Sequence, residues 1–198
     1  MVEIIKYGDF KSKGKQKKKR QIILTHTSRN IKDYLLMLKH RYNGKYDRIP
    51  NYIITQEGKI LQLLGNDDYT KYSQNLNIDR NSIIVCLENL GWLQKEPMTG
   101  NYINWIGDIY KGSTIDKKWR DYYFWHPYSD NQMNSLSLLC KKILKETSIK
   151  KQIISNNTKI NNIEKHEGIV TRSNFNLDFT DVSPAFNFDN FIKQTENE

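Results

Sequence analysis

The sequence predicts a single α/β domain, a central mixed β-sheet flanked by helices. Short apolar runs recur along the chain, each of strand length. Two other stretches repeat their apolar residues every three or four positions, the period of a helix buried on one face. The two kinds follow one another as strand, helix, two hairpin strands, strand, long loop, helix and short strand, the order of one sheet with helices packed on it. At 198 residues and 23.5 kDa the chain can bury one real core.

Gln21-Ile22-Ile23-Leu24-Thr25 reads as a buried strand ending at His26-Thr27-Ser28. Ile31, Tyr34, Leu35, Leu38 and Tyr42 fall at helical spacing, with Ser28 or Asn30 available as the cap and Asn43-Gly44 as the stop. Asn51 to Thr55 is a strand, and Gln56-Glu57-Gly58 turns it into a second one, Lys59 to Leu64. Asn81 to Asn89 is a third strand, mostly apolar and therefore central. Gly91 to Tyr128 reads as loop, rich in aromatics that include Trp92, Trp105, Trp119 and Trp125. Ser129-Asp130-Asn131-Gln132 matches a capping box, and Met133, Leu136, Leu139, Cys140 and Ile143 line one face of the helix after it. Ile153-Ile154 reads as a short last strand, Ser155 to Thr180 as polar and irregular, and Phe188 to Ile192 as a short C-terminal segment.

Hydrophobic residues make up 37% and charged residues 27%, a globular composition, and no apolar run approaches the roughly 18 residues of a membrane span. Met1 to Phe10 lacks the charged-then-apolar order of a secretory signal. Cys86 and Cys140 form no CxxC pair and read as buried thiols. The net charge is +9, and Lys11, Lys13, Lys15, Lys17, Lys18, Lys19 and Arg20 supply seven of it without an acidic residue between them. Such an arm is usually solvated, and is otherwise an electrostatic contact for a polyanion such as nucleic acid, teichoic acid or an acidic protein surface. The chain divides into an N-terminal segment with this arm (1–20), the domain (21–192) and a tail (193–198).

The order of these motifs resembles the zinc-dependent N-acetylmuramoyl-L-alanine amidases and the peptidoglycan recognition proteins related to them. Ile22 to Ser28 looks like that family's first strand, which ends in a His followed by a small hydroxyl residue. Asn51 to Ile60 looks like its hairpin, Asn81 to Leu87 like its Asn-Ser-Ile strand, and His126 to Gln132 like the entry to its long helix. Thr180-Asp181-Val182-Ser183-Pro184-Ala185-Phe186 resembles its closing motif. The likeness runs from about Ile22 to Phe191.

The resemblance implies zinc held by three protein ligands, a metal-activated water and hydrolysis of the amide between N-acetylmuramic acid and L-alanine. It places His26 first and Asp181 third among the ligands. The second, a His after the long helix in the family, falls on Asn156 if Ile153-Ile154 is the strand. In the other register, with Ile169-Val170-Thr171 as the strand, it falls on Arg172. Neither register supplies a His, and His166 is the other downstream His. Phe179 stands where small phage amidases have Lys, two residues before the third ligand. Glu88 is the nearest acid in the Asn-Ser-Ile strand that could move a proton. The functions this implies are an amidase acting on peptidoglycan, an inactive relative that binds peptidoglycan or builds a virion, and a polyanion binder working through the basic arm. The absence of a signal suits a phage-encoded protein, in a virion or in host cytoplasm before lysis.

Overall fold

The computed structural model describes residues 3–73 and 75–196. The outermost residues of the N-terminal segment (1–2) and of the tail (197–198), and Gln74, lie outside them. The chain forms β1 (Ile4–Lys6), β2 (Gly14–Lys15), β3 (Gln21–His26), α1 (Ile31–His40), β4 (Tyr52–Ile54), β5 (Ile60–Gln62), β6 (Asp68–Tyr69), α2 (Leu76–Asn81) and β7 (Ser82–Leu87). Then come β8 (Trp92–Lys95), β9 (Tyr102–Ile103), β10 (Ile109–Tyr110), β11 (Ile115–Trp119), β12 (Tyr122–Trp125), α3 (Asp130–Glu146), β13 (Gly168–Thr171) and α4 (Phe188–Glu196).

Six strands make the central sheet, in the order β1-β5-β4-β7-β3-β13. Only the β4/β5 hairpin is antiparallel, so the sheet is mixed, as expected. Alternation along β3 and β7 explains the layers. Ile22, Leu24, Ile83, Val85 and Leu87 face α3, where Met133, Leu136, Leu139 and Cys140 complete the larger core with Phe186 and Phe191. Cys86 faces the other way, into a core with Tyr34 and Leu38 of α1. Ile23 and Ile84 pack on that side with Tyr72 and Val170. Both cysteines are buried and unpaired. Asn30, rather than Ser28, caps α1. Ser129 caps α3 by accepting from the Gln132 N–H, but Gln132 does not return the bond to Ser129. Its side chain donates across the core to the carbonyls of Ile54 (2.9 Å) and Glu88 (3.0 Å).

Four segments differ from the sequence reading. The strand that continues the sheet beyond β3 is β13, within the stretch read as irregular, and Ile153 makes only a bridge to Ile169 on its outer side. The chain at Gln152 passes so close to β13 that a Cβ on Gly168 would lie 2.1 Å from the Gln152 carbonyl oxygen. The 153–154 segment bonds to the outer edge of β13, through Ile154 N–H to the Ile169 carbonyl (3.0 Å), and not to β3. The aromatic stretch after Gly91 is a second, antiparallel sheet, β10-β9-β8-β12-β11, not loop. Its strands are two to five residues long, too short to show a period. The N-terminal segment belongs to the domain, because β1 extends the sheet edge and β2 pairs with β6. The tail from 193 continues α4. Among the described residues no helix is long and apolar enough to cross a membrane.

Candidate functional site

His26, at the carboxyl end of β3, and Asp181, in the loop before α4, converge although 155 residues separate them. Asp181 Oδ2 accepts from the Thr25 hydroxyl and, at 3.4 Å, from the His26 backbone N–H. The imidazole is buried, and its Nδ1 lies 3.2 Å from the Tyr128 hydroxyl, which also accepts from the Ser183 N–H. Burial pushes the His26 pKa below its ordinary value. Asp181 opposes that shift and Arg172 adds to it. On its other side the ring faces Gly91, where the backbone has φ +79°, which favours glycine, and a Cβ would sit a tight 3.3 Å from Nε2.

Arg172 stands at the third corner. It follows Thr171, which pairs with Leu24 of β3, so β13 delivers it beside the end of the His26 strand. Its Nη1 lies 3.6 Å from Asp181 Oδ2. The guanidinium carbon sits 3.9 Å from the Phe179 ring centroid and 5.6 Å from that of Tyr72, and Nε is buried without a partner. Phe179 occupies the position where the resemblance expects Lys. The cation of that neighbourhood is carried instead by Arg172, with Phe179 as one of its aromatic faces.

This set does not fit the zinc that the resemblance implies. A three-ligand zinc site needs free lone pairs on nitrogen, sulfur or carboxylate donors. His26 and Asp181 are of the right donor type, and a hydrogen bond on the far atom of a ligand is usual, but the third corner is a permanent cation, Arg172, 3.6 Å from the carboxylate. Among the described residues no group of three or more His, Cys, Asp or Glu side chains is arranged to hold a metal.

The other expected site residues are engaged as follows. Asn156 is exposed, and its Oδ1 accepts from the N–H (3.1 Å) and hydroxyl (2.7 Å) of Thr158, closing a local turn. The strand-end position falls to Arg172 because β13, not 153–154, pairs with β3. His166 precedes β13, and its carbonyl accepts from Gln21. Gln21 begins the strand that His26 ends, about 16 Å away at about 3.3 Å per residue. Glu88 is buried with both oxygens occupied: Oε1 accepts from Ile31 N–H (2.8 Å) and Oε2 from Gln56 N–H (2.9 Å). It ties the start of α1 to the hairpin, and a carboxylate there suits the helix dipole. In the basic arm Lys19 is buried, with Nζ donating to the carbonyls of Asp68 (3.1 Å) and Arg80 (3.0 Å). Lys13 pairs with Asp47 and Arg20 with Glu167, while Lys11, Lys15, Lys17 and Lys18 are exposed.

The site opens into a cleft of about 160 Å³ between α1, the turn after β3, the loop at Arg48 and the end of β13. His26, Tyr34, Tyr72 and Arg172 line its inner part, and Arg29, Arg41, Arg48 and Trp105 its outer part. Trp105, from the second sheet, donates Nε1–H to the Ser28 carbonyl at 2.8 Å, which fixes that sheet as a wall of the cleft. Sequence reasoning missed these three outer arginines, because each lies on a different element and no spacing links them.

Comparison with known proteins agrees with this architecture. The endolysin LysCS, an N-acetylmuramoyl-L-alanine amidase from Clostridium intestinale URNW, is 11% identical, with a TM-score of 0.59 over 100% of this chain and 98% of that one. AmiD from E. coli, solved with anhydro-N-acetylmuramic acid-L-Ala-D-γ-Glu-L-Lys, is 17% identical, with a TM-score of 0.55 over 92% of this chain. The chain spans only 59% of AmiD's length. AmpDh3 from Pseudomonas aeruginosa, in complex with anhydromuramic pentapeptide, is 14% identical, with a TM-score of 0.55 over 94% of this chain and 63% of that one. No curated protein matches the sequence. The profile of the N-acetylmuramoyl-L-alanine amidases matches residues 15–174, most of the chain, from β2 through the turn that holds Arg172. With that match on the same sheet and the same His26 strand end, the chain belongs to the N-acetylmuramoyl-L-alanine amidase family.

Proposed function

We propose that this chain is a peptidoglycan-directed protein of the amidase family that binds muropeptide without hydrolysing it. The observation that carries the proposal is the Arg172–Asp181 pair, at 3.6 Å, on the set of side chains that the resemblance assigns to zinc. A guanidinium cannot give up its proton to become a ligand, and its charge repels a divalent cation. The muropeptides bound by AmiD and AmpDh3 support the ligand class. The endolysin LysCS supports a setting in a phage particle or a lysing host.

Cosedimentation with insoluble peptidoglycan, followed by assay of newly freed alanine amino groups, tests this reading. The protein is expected to sediment with the wall and to free no amino groups, with or without added zinc. Zinc-dependent release would establish the hydrolase reading with a rearranged metal site. Failure to sediment would remove peptidoglycan as the partner.

A further inference from the structure

We propose that the cleft beside His26 is a receptor for a doubly charged tetrahedral oxyanion, inorganic phosphate or a phosphate monoester, held by Arg29, Arg41, Arg48 and Arg172. Charge is the first argument. Four arginines line one cleft of about 160 Å³, and among the described residues no acidic one lines it with them. Among the described residues Arg29, Arg41 and Arg48 have no carboxylate partner. Arg29 lies over the Trp105 ring at 5.3 Å and Arg41 over Tyr42 and Tyr46 at 5.0 and 5.2 Å. Only Arg172 has an acid, Asp181.

The nearest acids line the adjoining hollow of about 500 Å³, which shares Arg41 and Arg48 and adds Asp47 and Asp79. Asp47 is held between Lys13 (3.6 Å) and Lys71 (3.7 Å). Asp79 Oδ1 accepts from the Ser73 N–H (2.7 Å), its Oδ2 is buried without a partner, and burial raises its pKa. The cleft therefore carries about three uncompensated positive charges, of which a monocarboxylate cancels one and a phosphate dianion two. Geometry is the second argument. The arginines come from the turn after β3, the end of α1, the loop at Arg48 and the end of β13, so they border the cleft from several sides. That arrangement suits a tetrahedral oxyanion better than a flat carboxylate, which one Arg fork satisfies. Size is the third. The cleft, about 160 Å³, has room for a group the size of a phosphate.

The inference deepens the proposed binding role, since both rest on Arg172 at the former ligand corner. Their tests are separate: wall cosedimentation reads the one and anion titration the other. The titration uses the full chain at low ionic strength, with inorganic phosphate, glycerol 3-phosphate, dimethyl phosphate and acetate at matched ionic strength. Affinity is read by calorimetry and fold by circular dichroism. Phosphate and glycerol 3-phosphate are expected to bind, and dimethyl phosphate and acetate at least tenfold more weakly. Arg48→Gln and Arg29→Gln, which break no ion pair, are each expected to weaken phosphate about tenfold, one charge-assisted contact, with the fold intact. Equal binding of acetate or dimethyl phosphate, phosphate binding untouched in both variants, or no binding would each overturn the proposal. Loss of inorganic phosphate alone, with glycerol 3-phosphate retained, assigns the site to monoesters.

Discussion

At the scale of single residues, Asp181 and Arg172 depend on each other unequally. Asp181 keeps the Thr25 hydroxyl and the His26 N–H if Arg172 is lost, whereas Arg172 has no other acid and a partnerless Nε. Removing the acid strands a mostly buried cation, and removing the cation leaves a carboxylate with two donors. Asp181→Asn is therefore expected to cost about 3 kcal/mol in urea unfolding, and Arg172→Met less. Equal losses would mean that the pair is not what holds this corner. Lys19 gives a pH prediction. Burial drives its pKa down to about 8, against the pull of Asp67, Asp68 and Asp79, while the unfolded chain keeps that proton up to about 10.5. Between these values unfolding takes up a proton, so stability rises with pH. Wild type should gain stability from about pH 7 to about pH 9.5 relative to Lys19→Met, a comparison in which the tyrosines, common to both chains, cancel. A wild-type slope no steeper than the variant's would contradict this.

At the scale of elements, the N-terminal segment gives the clearest prediction. Seven basic residues read as a solvated arm because charge alone was visible, and nothing local announces that Lys19 finds two carbonyls under β6 and α2. Since β1 extends the sheet and β2 pairs with β6, deleting residues 1–20 should lower the melting temperature and expose β5 as an edge. An unchanged melting temperature would restore the reading of a free arm. Glu88 makes a second case. Its strand position was legible, but its role was not, because its partners are backbone N–H groups at Ile31 and Gln56, far away in sequence. Glu88→Ala is expected to cost about 2 kcal/mol through those two stranded donors, a structural loss with no change in ligand preference. Helices α1 and α3 were legible because burial on one face imposes a period, and β3, β4/β5 and β7 because strands buried on both faces are short apolar runs. Strand β13 was legible only as the alternative register at Ile169-Val170-Thr171, because Gly168-Ile169-Val170-Thr171 is four residues long and nothing local tells it from Ile153-Ile154 as the partner of β3.

At the scale of the whole molecule, the sheet brings together what the sequence holds 155 residues apart, and His26 and Asp181 meet as the motif order implied. What fills the space between them depended on which strand follows α3, and that is a matter of topology rather than local pattern. The register that ends in Arg172 also makes sense of Phe179: the cation and its aromatic face depart from the family pattern together. The same topology places a wall of the second sheet, through Trp105, over the outer cleft. The direct measurement is zinc per chain, by mass spectrometry of metal-stripped protein equilibrated with zinc, on wild type and on Arg172→His. The account predicts less than stoichiometric zinc on wild type and a gain in the variant, whose His would complete the set with His26 and Asp181. One tightly held zinc per wild-type chain would contradict it.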